Sequence, residues 1–312
     1  MGAVVEIVVP VFALVLCGWG FARWGLLPAG GARALGVFVF NLAIPALLFR
    51  AMAQGLPDLG DAWGLIAAYF GGCAAVFLAA ELLGRRPFAI SAAERAVMGM
   101  SGGFSNVVVI GLPLIALAYG PAGLVPAVLI IAFHSPVLIT ATTLLVEAAQ
   151  GRGEGSLRVA AATLGSLLHN PIVVGLLAGA AWGAAGLAMP APMGRFLDLL
   201  AAAAPPAALF ALGASLVDFR IRGALRESAA TVAIKLALHP LLVWLLAVFV
   251  FRLPPLWTDI AVLCAALPTG ANVFLLAQRH GVYLQRSATV VLVSTALSIA
   301  SLSLILTLAP PP

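Results

Sequence analysis

A chain of 312 residues with 63% hydrophobic and 9% charged residues, and a mean hydropathy of +1.15, carries too little charge to cover the surface of a water-soluble domain. Its formal charge of +5 comes from basic residues scattered singly or in pairs between apolar segments. That is the pattern of loop anchoring, and it argues against a nucleic-acid partner. Ten apolar segments of about 20 residues, each long enough to cross a bilayer, take up roughly 200 residues and leave only short loops. The expected fold class is an all-α polytopic membrane protein with ten transmembrane helices and no separate soluble domain.

In chain order, helix 1 is expected over residues 4–21 as an uncleaved first span, because Glu6 precedes the apolar run and Arg23 follows it. Helix 2 covers 33–52 with Pro45 inside, helix 3 covers 62–83, helix 4 covers 94–119 and helix 5 covers 122–147. A polar connection from Gln150 to Ser156 divides the chain, followed by a weakly amphipathic stretch over 157–169 that suits the membrane interface. Helix 6 starts at Asn170-Pro171, where Asn can cap and Pro fits the first turn, and runs to about 186. Helices 7, 8, 9 and 10 follow over 195–217, 227–251, 256–279 and 287–308.

Two of these helices carry interruptions. Helix 4 contains Gly102-Gly103-Phe104-Ser105-Asn106 and then Gly111-Leu112-Pro113, and helix 9 contains Leu267-Pro268-Thr269-Gly270-Ala271-Asn272. Glycine weakens a helix and proline cannot donate to its ladder, so both should break near mid-membrane. Non-helical backbone survives at that depth only where protein or a wet cavity satisfies it, and paired breaks mark transporter substrate sites.

The halves repeat. Ile44-Pro45-Ala46-Leu47-Leu48-Phe49 matches Pro205-Pro206-Ala207-Ala208-Leu209-Phe210 at an offset of 161, and Ser105-Asn106 to Gly111 matches Ala271-Asn272 to Ala277 at an offset of 166. The units are residues 1–149 and 150–312, five helices each. With the N-terminus outside, twelve arginines fall on the cytoplasmic side, while Arg50, Arg195 and Arg252 fall outside and Lys235 lies within helix 8. The bias places both termini on the outer side. An odd number of spans per repeat inverts the second repeat, so helices 4 and 9 cross the membrane in opposite directions.

Asn106 and Asn272 occupy equivalent places in the breaks, where half-helix N-termini and side-chain amides suit a carboxylate. Their alternative role is to satisfy the broken backbone. Ser105, Thr269 and Gly270 share the breaks. Lys235, the only lysine, is expected either to serve as a counter-charge for an anionic substrate or to snorkel to the cytoplasmic side. His134 beside Pro136 is a packing residue, with a second reading as a substrate contact or proton relay; His239-Pro240 is a similar polar point at a kink. Glu6, Glu81 and Glu147 read as interfacial. Gly175, Gly179 and Gly183 form a small-residue series for close packing, within the chain or across a dimer. Cys17, Cys73 and Cys264 lack metal or disulfide spacing and read as small core residues. No motif of a hydrolase, metalloprotease or nucleotide-binding enzyme is present, so neither enzymatic activity nor a cofactor is expected.

The run Gly103-Phe104-Ser105-Asn106 to Gly111-Leu112-Pro113-Leu114 resembles the fourth-helix motif of the auxin efflux carrier family, bacterial branch, of the bile acid/auxin/arsenite transporter superfamily. Asn170-Pro171, Leu212-Gly213-Ala214-Ser215-Leu216 and Leu267-Pro268 to Ala277 followed by Gly281-Val282 extend the resemblance over nearly the whole chain. It implies a scaffold of helices 1, 2, 6 and 7, and a transport domain of helices 3–5 and 8–10. It further implies elevator-like alternating access in the cytoplasmic (inner) membrane, a homodimer, and secondary transport of small organic anions, either malate- or malonate-like acids or auxin-like acids. The long central loop of the plant members is absent. Two alternatives stand beside this one: a sodium-coupled organic anion symporter of the bile-acid-symporter type, and a non-transporting membrane receptor or scaffold. The coupling ion is a proton or sodium, or the membrane potential alone drives transport.

Overall fold

The computed structural model describes residues 2–54, 60–151, 170–219, 221 and 223–310. The stretch over 157–169 and most of the polar connection before it lie outside the described residues, as do Arg152, Arg158, Arg220 and Arg222. Among the described residues the chain is all-helical, and seven helices are long and apolar enough to cross a membrane.

In order, α1 is Gly2–Arg23, α2 Gly31–Ala53, α3 Ala62–Arg85 and α4 Ala92–Gly103. The apolar stretch Val107–Ala149 is bent at Gly120 into α5 (residues 107–119) and α6 (residues 121–149). Gly120 has φ 60° and ψ −156°, a conformation essentially reserved for glycine, and this is where the chain turns between the fourth and fifth sequence helices. Then follow α7 Pro171–Ala184, α8 Ala191–Ser215, α9 Leu225–Val250, α10 Pro255–Ala266, α11 Asn272–His280 and α12 Leu284–Leu308.

At three places, proline inside these helices is absorbed by a widened turn. The π-helical turns Val39–Ala43, Val107–Gly111 and Ile234–Leu238 each end two residues before a proline, at Pro45, Pro113 and Pro240. In each, the residue just before the proline (Ile44, Leu112 or His239) donates its N–H five residues back. A proline ring clashes with the carbonyl four residues earlier, and the wide turn relieves that contact. Pro113 was expected to break the helix, but α5 runs through it for this reason. Gly111 likewise lies in the continuing helix, where a Cβ would meet Leu267 at 2.6 Å.

Two groups of helices pack internally. In one, α1 lies along α8 and α2 lies along α7, at backbone contact. A Cβ on Gly18 would sit 2.0 Å from the Phe210 carbonyl oxygen, and one on Gly213 would sit 1.8 Å from that of Val15. Cβ atoms on Gly175 and Gly179 would lie 2.6 Å and 2.5 Å from the carbonyl oxygens of Pro45 and Phe49. Gly175 and Gly179 are therefore used inside the chain, against α2. In the other group, α3 packs on α4 and on α9, α9 on α10, and α11 and α12 against each other.

Ion pairs tie this second group together at one end. Glu94, whose carboxylate closes a capping box with Ser91 at the start of α4, accepts from Arg286 Nη1 at 2.6 Å, and Arg286 also pairs with Glu227 on α9. Glu81 joins α3 to α4 through Arg95 at 2.9 Å.

Candidate functional site

The two interruptions fall at Phe104-Ser105-Asn106, after α4, and at Leu267 to Ala271, after α10. Gly102 and Gly103 end α4, where a Cβ on Gly102 would press on Val76 and Ile234 at 2.8 Å and 2.9 Å. The broken segments meet each other. Ser105 and Thr269 form a single antiparallel bridge, flanked by Asn106 N–H donating to the Pro268 carbonyl (2.8 Å) and Gly270 N–H donating to the Phe104 carbonyl (3.0 Å). Each break supplies what the other lacks, as non-helical backbone at membrane depth demands. Thr269 Oγ1 donates to the Ser101 carbonyl at the C-terminal end of α4 (2.7 Å), and Thr269 N–H donates to Ser294 Oγ on α12 (3.0 Å). Gly270 lies against the Phe104 ring, which a Cβ there would meet at 2.9 Å.

Behind the bridge lies the only lysine. Lys235 is fully buried, and its ammonium donates to Ser105 Oγ (2.6 Å), the Ala265 carbonyl (2.6 Å) and His239 Nδ1 (3.0 Å). Three protons thus meet three acceptors, one from the first break, one from the end of α10 and one from its own helix. Ala265 belongs to the last turn of α10, where unpaired carbonyls and the helix dipole favour a cation. Because the ammonium can only donate, His239 Nδ1 is the accepting nitrogen, and Nε2–H is left facing Cys73 Sγ at 3.4 Å. Cys73 in turn reaches the Gly103 carbonyl at 3.8 Å.

His134 anchors the opposite flank. Its Nε2 lies 3.0 Å from the Ser105 carbonyl, an acceptor only, so Nε2 carries the proton and Nδ1 accepts from Tyr69 O–H at 3.2 Å. Phe104 packs on the imidazole with ring centroids 4.5 Å apart.

In front of the bridge is a cavity of about 540 Å³. Asn106, Asn272, Ser105, Gly270 and His134 contribute to its wall on the crossing side, and Asn41 and Asn170 on the side of α2 and α7. Asn106 is 8% exposed, and its side chain makes no hydrogen bond among the described residues. The first residues of α5 and α11, Val107 to Val109 and Asn272, line the same space, so two helix N-termini border it. A cavity of this size, mostly apolar with a few convergent polar groups, is what a small-molecule site requires.

Of the residues singled out in the sequence, Asn106, Asn272, Ser105, Gly270 and His134 come together at the cavity. Thr269 and Lys235 do not line it. Thr269 spends its hydroxyl on α4, and Lys235 holds the back of the crossing without reaching the interface, so snorkelling does not occur. Pro268 sits in the second break as a carbonyl acceptor. Sequence reasoning missed Tyr69 and Cys73, which read as ordinary apolar-helix residues, and Asn41 and Asn170 as cavity residues. One signal could have found the first pair: Tyr69 and Cys73 precede Lys235 and His239 by the same 166 residues that separate Asn106 from Asn272.

A family model described as a membrane transport protein matches residues 3–306. A protein of Rhizobium meliloti (strain 1021) named "Putative malonate transporter" is 30% identical over 303 residues, which cover 97% of this chain and 95% of the relative. The chain therefore belongs to the membrane transport protein family, the auxin efflux carrier family that its motifs resemble, and is a multi-pass membrane transporter rather than an enzyme.

Proposed function

We propose that this chain is a ten-span, elevator-type secondary carrier that binds small organic carboxylates at the crossing of its two broken helices. The observation that carries the reading is Asn106, nine-tenths buried, without a side-chain partner among the described residues, and lining a cavity that two half-helix N-termini also face. Each N-terminus carries roughly half a positive charge, so the pair offsets about one carboxylate without a cation in the cavity wall. The name of the Rhizobium relative agrees with an acid of this kind.

The ten spans are α1, α2, α3, α4 with α5, α6, α7, α8, α9, α10 with α11, and α12. Packing supports an inverted repeat. Gly18 meets Phe210 and Gly179 meets Phe49, and both the glycines and the phenylalanines are 161 residues apart. One contact is thus the image of the other with the halves exchanged. At the crossing, Phe104 touches Gly270 and Cys73 touches His239, each pair 166 residues apart, as expected of residues beside a pseudo-two-fold axis. We assign α1, α2, α7 and α8 to the scaffold and the remaining helices to the moving domain. The cavity lies between the two groups and extends toward Ala32, Asn170 and Ser215, at the ends of helices that the arginine bias puts on the cytoplasmic side. The state is therefore open to the cytoplasm, with both termini outside.

Lys235 bears on coupling. Its ammonium occupies the Ser105 hydroxyl and Ala265 carbonyl, oxygens of the sort a sodium ion would use at a crossing. A tethered cation in that place favours a carrier that works without sodium.

The test is charge movement in proteoliposomes given a panel of mono- and dicarboxylates, with and without sodium and a pH gradient. Acid-specific currents, abolished by Asn106→Ala and reduced by Asn272→Ala, are expected to persist in sodium-free buffer. Currents that vanish without sodium would favour a symporter. Silence across the panel from folded protein would remove the carboxylate reading.

A further inference from the structure

Lys235 is fully buried, yet no opposite charge meets it among the described residues. Its three partners are a hydroxyl, a carbonyl and an imidazole nitrogen that accepts. The ionisable side chains around it are Cys73 from α3, Cys264 from α10, His239 from its own helix and, across Ser105, His134 with Tyr69. The charges of α4 and α12, Glu94, Arg95 and Arg286, lie in ion pairs at the far ends of those helices, as do Glu81 and Glu227. The Asp259 carboxylate of α10 stands six residues before Ala265, nearly two helical turns away. Keeping an ammonium out of water without an opposite charge is costly.

The same three contacts serve an uncharged amine. Nζ then donates its two N–H bonds to the Ala265 carbonyl and His239 Nδ1, and its lone pair accepts the Ser105 O–H. Only the Ser105 hydroxyl has to turn between the two states. Facing an ammonium, Ser105 Oγ accepts and its proton turns away, toward the cavity that Ser105 helps to line or the Tyr69 hydroxyl beside it. Facing an amine, that proton is held by Nζ. An anion in the cavity favours the first state. It would lie one side chain in front of Nζ, about 6 Å away, where an opposite charge at an effective dielectric of about 20 shifts the balance roughly 100-fold. By linkage, the ammonium favours the anion by the same factor.

We propose that Lys235 is the binding site of a coupling proton, and that the carrier moves each anion together with one proton held on this amine. The inference rests on the carboxylate reading of the cavity and adds what travels with the acid. On loading, Ser105 passes its own proton to the Nζ lone pair and takes one from protonated water in the cavity, so the hydroxyl is restored. Unloading reverses the step on the other face. Lys235, Ser105 and both breaks belong to the helices assigned to the moving domain, so proton and anion cross together. A dianion then carries one net negative charge across, and a monoanion none.

The test is malonate uptake by the full chain in sodium-free proteoliposomes, with the membrane potential clamped at zero and a pH dye inside. Wild type is expected to acidify the lumen as malonate enters. With the outside one pH unit more acid, it should accumulate malonate about tenfold. Lys235→Met should take up malonate slowly, with neither accumulation nor acidification. A wild type that ignores the pH gradient overturns the proposal. So does accumulation that persists in Lys235→Met, which would put the proton on the acid itself. Ser105→Ala keeps the lysine and gives a second readout that does not depend on the methionine variant folding. Its KM for malonate should exceed that of wild type at least about tenfold in acid, the contribution of one charge-assisted hydrogen bond, and match it in alkali, where the wild-type hydroxyl is turned to the amine. A KM ratio that does not vary with pH overturns the proposal. A wild type that moves no malonate fails earlier, at the carboxylate reading, so the two failures are distinguishable.

Discussion

Replacing Lys235 by methionine tests whether the buried ammonium holds the crossing in shape. Methionine keeps most of the volume and removes the charge and all three donated hydrogen bonds, to Ser105 Oγ, the Ala265 carbonyl and His239 Nδ1. The Ser105 hydroxyl can rotate to another acceptor, but the Ala265 carbonyl and the imidazole nitrogen are left without a donor. Each such buried group costs about 1–3 kcal/mol, so roughly 2–6 kcal/mol is lost. Against this, the variant no longer buries an ammonium, whose desolvation costs several kcal/mol even after relaxation. The two effects largely cancel in global stability, and the thermal midpoint should move by less than about 5 °C. They do not cancel in function, because the ammonium ties the first break to the last turn of α10 that leads into the second. Losing even one charge-assisted bond at the binding geometry, about 1.5 kcal/mol or more, predicts at least a tenfold fall in uptake. Lys235→Arg should be impaired as well, since a planar guanidinium cannot match three acceptors arranged around an ammonium. Uptake and thermal midpoint would be measured on the same preparations. Wild-type uptake by the methionine variant would refute the pinning role, and failure to fold would refute the balance of energies.

Other consequences follow from the same geometry. Gly213→Ala places a methyl 1.8 Å from the Val15 carbonyl oxygen, so α1 and α8 must separate by more than 1 Å; a loss of about 1–3 kcal/mol or more is expected in a thermal melt, and no change would contradict the close packing. Gly120→Ala forces a side chain into φ 60°, ψ −156°, at a cost of about 1–3 kcal/mol, although open space surrounds the Cβ. A variant as stable as wild type would show that the turn between α5 and α6 has another shape. Arg286→Leu leaves Glu94 and Glu227 without their shared partner where both carboxylates are largely shielded, and should lower the melting temperature, with partial recovery in Arg286→Lys.

The helices were legible because their signal is dense. Apolar runs of about 20 residues bounded by arginine, glycine or proline admit one reading in a bilayer, and α3, α8 and α12 lie within a few residues of the expected ranges. The breaks were legible in outline, since glycine, serine and asparagine in an apolar run signal non-helical backbone. Their exact position was not. Pro113 looked like a breaker because proline's missing N–H is a local fact, whereas the widened turn that accommodates it depends on the five residues before it. Lys235 was conspicuous by its charge, but two of its three partners come from 130 residues earlier and 30 later, and no local pattern links them. Tyr69 and Cys73 were silent for a related reason. Alone, each is an unremarkable side chain of an apolar helix, and only the repeat offset pairs them with Lys235 and His239.

That offset also explains how, on the proposed function, one crossing would keep a cation and accept an anion. Antiparallel broken helices bring four ends to one place, two C-termini and two N-termini. The α10 C-terminus holds the Lys235 ammonium through the Ala265 carbonyl, and Cys73 with His239 continues the polar contact to the Gly103 carbonyl at the end of α4. The N-termini of α5 and α11 open on the other side, into the cavity with Asn106 and Asn272. Helix dipoles of about half a charge per end put the negative ends at the back, around Lys235, and the positive ends at the front, where the proposed anion would bind. The sorting also explains the difference between the paired positions. Perfect repetition would place lysine at position 69 as well, and a second ammonium would then have to be buried in the same crossing, at a further desolvation cost of several kcal/mol. Tyrosine there keeps a donor for His134 without a charge, which leaves the electrostatics of the crossing to a single lysine.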